Sequence, residues 1–67
     1  MKKELEKYLW DNIRTATSND PFPRDIIKDM LNKHMIVSAK QAWKTLEKWE
    51  RKGLYEYGST LDLGWKK

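Results

Sequence analysis

The sequence predicts a mainly α-helical domain, three helices followed by a small β-hairpin, and three observations carry that expectation. Apolar residues recur at helical spacing in three separate stretches. Residues that start or stop helices stand between those stretches: Pro21 and Pro23, then Ser38, then Gly53. Beyond Gly53 the apolar pattern changes to alternation in twos around Gly58-Ser59, the mark of a hairpin.

The first helix is expected over residues 2–17. Leu5, Leu9, Ile13 and Ala16 fall on one face with Tyr8 beside them, and Ser18-Asn19-Asp20-Pro21 ends it with four turn formers. Phe22 is expected to plug the core from a short extended piece. The second helix covers residues 23–34. Pro23 suits its first position, because the fixed φ fits and the missing N–H has no partner there anyway. Ile26, Ile27, Met30 and Leu31 form its apolar stripe. His34 ends it, where the helix dipole favours a cation. Met35-Ile36-Val37 follows as a buried turn.

The third helix is expected over residues 38–52. The Ser38 hydroxyl can accept from the orphan N–H groups of the first turn. Ala39, Ala42, Leu46 and Trp49 give its inward face, and Gly53 closes it in the left-handed conformation. The hairpin covers residues 54–65, with a two-residue turn at Gly58-Ser59 and Tyr57 opposite Thr60. That register turns Leu54, Leu61, Leu63 and Trp65 toward the helices and Tyr55, Tyr57 and Asp62 outward.

With 67 residues the chain allows one domain, residues 1–67, with no internal repeat or linker. A chain of about 60 residues buries only roughly 60% of its unfolded surface, so its core is marginal. There is no cysteine and one histidine, so neither a disulfide framework nor structural zinc is expected, and no cofactor. Four Trp, three Tyr and one Phe must supply the packing. An enzyme is not expected: catalysis needs converging His, Cys, Asp or Glu in a cavity of about 300 Å³ or more. The longest apolar run is Met35-Ile36-Val37, and Met1-Lys2-Lys3 leads straight into an amphipathic segment. A soluble cytoplasmic protein without membrane contact is expected.

From Val37 to Leu54 the chain reads Val37, Ser38, Ala42, Leu46, Trp49, Glu50, Gly53, Leu54. This resembles the V-S-x-x-x-V-x-x-x-L-x-x-L-E-x-x-G-L pattern of winged helix-turn-helix DNA-binding domains, whose element order is also the one expected here. The resemblance implies that the third helix enters the DNA major groove as a recognition helix. It implies sequence-specific or semi-specific double-stranded DNA binding in a small transcriptional or replication regulator, and a chain this short and self-contained is expected to be of viral, plasmid or archaeal type. Such a regulator acts at the nucleoid or, if viral, in the host cytoplasm.

The charge distribution can be read without the family. Residues 37–53 hold five Lys or Arg and two Glu, so three of the four net positive charges fall on the third helix. Opposite its apolar stripe stand Lys40, Gln41, Lys44, Lys48 and Arg51, with Glu47 and Glu50 toward the edge. Clustered base on one face is the footprint of phosphate attraction. Lys40, Gln41 and Lys44 are candidates for base edges, Gln suiting adenine and Lys guanine. Lys48 and Arg51 are candidates for phosphates, as are Ser38 at the helix start and Arg24 on the second helix. Lys66 and Lys67 are weaker candidates. Lys2, Lys3 and Lys7 interleave with Glu4 and Glu6 and read as a solvated face.

Other features point elsewhere. Gly58-Ser59 carries no base, and Glu56 and Asp62 flank it. Trp43 stands where many members of the family have a small polar residue; it is expected to pack against the hairpin or the first helix, or else to meet a ligand. No added helix makes a dimer, so a monomer or weak homodimer is expected, with Tyr8 and Trp10 as a small self-association patch. The alternative function is a protein-interaction module that uses Trp43, Tyr55 and Tyr57. The Gly53-to-Trp65 spacing equals that of winged helices binding Z-form nucleic acid. Their Asn, Tyr and Pro-pair positions fall here on Trp43, Glu47 and Asp62-Leu63, so that activity is not expected.

Overall fold

The computed structural model describes residues 1–18 and 21–67. Three helices, α1 (Lys3–Asn12), α2 (Pro23–Asn32) and α3 (Ala39–Arg51), precede two short strands, β1 (Tyr55–Glu56) and β2 (Trp65–Lys66). The order of elements is the expected one. Leu9 and Ile13, Ile26, Ile27 and Met30, and Ala42, Leu46 and Trp49 bring the three segments together around one core, closed by Ile36 and Tyr55. Trp10 meets Trp49 edge to face with ring centroids 5.0 Å apart, which places Trp10 on the flank of the core. No helix among the described residues is long and apolar enough to cross a membrane.

α1 ends well before residue 17. Its cap, Ile13, is extended (φ −77°, ψ 154°), and the Asn12 side chain folds back to donate to the Tyr8 carbonyl at 2.7 Å. The chain beyond is taken by the sheet: Lys66 N–H donates to the Arg14 carbonyl at 2.9 Å, and Thr15 bridges Lys66 in parallel. Ile13 still reaches the core, from an extended segment, whereas Ala16 is exposed. Asn19 and Asp20, two of the four expected turn formers, lie outside the described residues. Phe22 does not plug the core. It caps α2 in an extended conformation with the Arg14 guanidinium 4.1 Å over its ring, and Pro23 takes the buried place.

Both α2 and α3 end in the same hydrogen-bond pattern, in which two N–H groups fold back onto the last turn. Met35 and His34 donate to the carbonyls of Met30 and Leu31, and Leu54 and Gly53 donate to those of Trp49 and Glu50. The pattern needs a left-handed residue just beyond the helix. Gly53 supplies it at φ 76° and His34 at φ 60°. At the start of α3 the expected Ser38 cap is present: its Oγ accepts from Lys40 N–H at 3.2 Å. Gln41 completes a capping box, its Oε1 accepting from the N–H groups of Val37 (2.9 Å) and Ser38 (3.3 Å). With its N–H turned to Gln41, Val37 projects into solvent and is 92% exposed, so only Ile36 of the expected buried turn is fully buried.

The hairpin departs most from expectation. Tyr55 pairs with Lys66 and Glu56 with Trp65, antiparallel, and a short 3-10 helix over Leu61–Leu63 replaces the tight turn at Gly58-Ser59. Tyr57 and Thr60 are therefore not strand partners. At the start of the hairpin the faces are exchanged, Tyr55 being 1% exposed and Leu54 44%, whereas Tyr57 is exposed and Leu61 packs against the core as expected. The Leu54 N–H is tied to the Trp49 carbonyl, which fixes the turn out of α3 and sends the next side chain inward. The Tyr55 hydroxyl donates to the Leu61 carbonyl at 2.5 Å and accepts from Gly64 N–H at 3.0 Å, pinning the connection from inside. A Cβ at Gly64 would strike the Glu56 carbonyl and the Tyr55 ring, so only glycine fits there.

Candidate nucleic-acid interface

On the outer face of α3 a groove of about 380 Å³ runs beside the start of α1. It is lined by Lys40, Gln41, Lys44, Thr45, Lys48 and Arg51 from α3, and by Met1 and Glu6 from the N-terminal segment. Lys40, Lys44 and Lys48 stand one turn apart and Arg51 three residues further on, so the helical repeat gathers four cations into one stripe. The stripe can exist because the opposite side of α3 is fully used, with Ala42, Leu46 and Trp49 buried.

The cations of the stripe are not equivalent. Lys40, Lys44 and Arg51 are exposed, and among the described residues none of them enters an ion pair. Lys48 is half-buried and donates to Glu6 Oε2 at 2.7 Å. The Thr45 hydroxyl reaches the same oxygen at 3.3 Å. The Lys48 hydrogen bond holds the Glu6 carboxyl below the usual carboxylate range, outweighing the opposite pull of burial.

Of the residues the sequence singles out, five line the groove: Lys40, Gln41, Lys44, Lys48 and Arg51. The carbonyl of the Gln41 side chain is committed to the capping box, so Gln41 as it stands cannot offer both ends of its amide to an adenine. Ser38 stands at the N-terminal end of α3, outside the groove, with its hydroxyl in the cap. Arg24 is also outside it, and its guanidinium is engaged by Asp62, at 3.2 Å from Nε and 3.1 Å from Nη2. Burial works to raise the Asp62 carboxyl, yet hydrogen bonds from Arg24 and Thr60 hold it below its ordinary value. Lys66 donates to the Trp10 carbonyl at 2.7 Å, and Lys67 pairs with Glu56 at 3.2 Å. These last three cations hold the fold together.

Glu6, Thr45 and Met1 belong to the groove and were not among the candidates. Glu6 did carry a signal: it lies beside Leu5 and one turn before Leu9, at the border of the buried face of α1 rather than on its solvated side. Of the three aromatic residues in the protein-interaction alternative, Trp43 (39%) and Tyr57 (51%) are exposed, and Tyr55 belongs to the core.

Compared with known proteins, the chain matches no family model, no curated protein and no solved structure.

Proposed function

We propose that this protein is a small winged helix-turn-helix domain that binds double-stranded DNA by presenting α3 to the major groove. The observation that carries this reading is the stripe of Lys40, Lys44 and Arg51, three exposed cations outside any ion pair on a helix whose other face is core. Lys40 and Lys44 take the base edges and Arg51 a backbone phosphate. Ser38 and Gln41 fix the start of the helix and so aim it. On the hairpin Lys67 pairs with Glu56 and Lys66 is drawn to the Trp10 carbonyl, while Arg24 answers Asp62. Affinity therefore rests on α3. The task that fits is transcriptional or replication control in the cytoplasm, without a cofactor and without catalysis.

Fluorescence anisotropy with a short mixed-sequence duplex tests the reading. The phosphate contact makes binding salt-dependent, so log K falls as log salt rises. No binding at low salt, or binding indifferent to salt, contradicts it. The exposure of Trp43 and Tyr57 favours a second reading, contact with a protein partner. Tyr57→Ser then abolishes that contact and leaves DNA affinity unchanged.

A further inference from the structure

We propose that the Lys48 end of the groove is a phosphate site which Glu6 occupies in the free protein, and that an incoming phosphate turns Glu6 out of it. The inference rests on the DNA reading only for the source of the phosphate. Two donors from α3, Lys48 Nζ and Thr45 Oγ1, converge on a single anionic oxygen, Glu6 Oε2, at 2.7 and 3.3 Å, the Thr45 hydroxyl sharing its proton with the Gln41 carbonyl at 3.4 Å. A phosphate oxygen asks for the same donors, a cation and a hydroxyl. Thr45 is 3% exposed, so its hydroxyl is held in place by the core rather than waving in solvent. The anion that fills the place comes from another helix, 42 residues away in sequence. Lys44, one turn before Lys48, lines the same groove with no ion pair among the described residues and adds to its positive potential.

Glu6 is then an internal competitor. It lowers the affinity of the groove for weak anions, and a ligand must bring enough negative charge to displace it.

The test compares the wild type with Glu6→Gln, Lys48→Met and the double variant, each checked for folding by its thermal transition. Glu4→Gln, an exposed acid outside the groove, controls for the added net charge. Each protein is titrated with inorganic pyrophosphate at low salt and, separately, with a DNA duplex, by amide-resolved NMR. Glu6→Gln binds pyrophosphate about three- to fivefold tighter than wild type, with shifts at Thr45 and Lys48. Glu4→Gln changes affinity by less than about twofold. In the Lys48→Met background the gain from Glu6→Gln disappears. Equal affinities for wild type and Glu6→Gln, or a gain that survives Lys48→Met, overturns the proposal. If the pyrophosphate gain holds while DNA fails to bind, the phosphate site stands and the DNA reading falls. If DNA binds and Glu6→Gln gains nothing with either probe, the DNA reading stands and the phosphate site falls.

Discussion

Arg24 and Asp62, 38 residues apart, face each other through two hydrogen bonds, so that the start of α2 is tied to the 3-10 turn between the strands. The Thr60 hydroxyl adds a third contact, donating to Asp62 at 2.7 Å. An arginine placed like this braces the hairpin, and to grip DNA it must first leave Asp62. Arg24→Ala is expected to speed amide exchange over residues 60–64 while lowering DNA affinity less than Lys44→Ala does. Equal losses of affinity in the two variants would return Arg24 to the interface.

Tyr55 holds the same connection from the inside. Tyr55→Phe removes the acceptor of the buried Gly64 N–H and the donor to the Leu61 carbonyl. The expected cost is about 1–3 kcal/mol, measured by urea unfolding, with DNA affinity unchanged.

Burial pushes the Tyr55 hydroxyl up to about 12 from an ordinary value of 10.0. The folded state thus holds its proton more tightly than the unfolded state. The stability that depends on this proton is complete below about pH 10 and is lost as pH rises toward 12. Unfolding curves across that window show the decline, and in Tyr55→Phe this contribution to it is absent.

His34 occupies the left-handed place beyond α2 at φ 60°, where a residue with a Cβ is strained. His34→Gly relieves the strain and stabilises the protein by about 1 kcal/mol in the same assay. A destabilised variant would mean that the imidazole makes a contribution larger than the strain.

The residues themselves explain which parts of the fold were legible. The order of elements followed from helical spacing and from caps that act locally: Ser38 at the start of α3, and Gly53 just beyond its end. The cation stripe was legible for the same reason, since one helix fixes the spacing of Lys40, Lys44, Lys48 and Arg51. The end of α1 was not, because Arg14 and Thr15 are drawn out of the helix by β2 at the far end of the chain. The hairpin was misread in two respects. Tyr55 lies opposite Lys66 and not Asp62, because a 3-10 helix takes the place of the tight turn. Alternation also shows that Leu54 and Tyr55 face opposite ways but not which one faces in. The bond from Leu54 to Trp49 decides that, and it belongs to the helix cap. Glu6 escaped because its partner, Lys48, lies on another helix.

The central claim is that α3 meets DNA through its exposed stripe. Lys44 is its plainest member, exposed and outside every ion pair among the described residues, and its removal touches nothing in the core. The most direct measurement is an amide-resolved NMR titration of wild type and Lys44→Ala with a DNA duplex, at low salt and again near ~200 mM. Shifts confined to α3 and the adjoining start of α1, fading with salt and weakened in Lys44→Ala, are the result expected. Absence of shifts at low salt, or equal affinity in the two proteins, would contradict the assignment of α3 as the DNA-binding element.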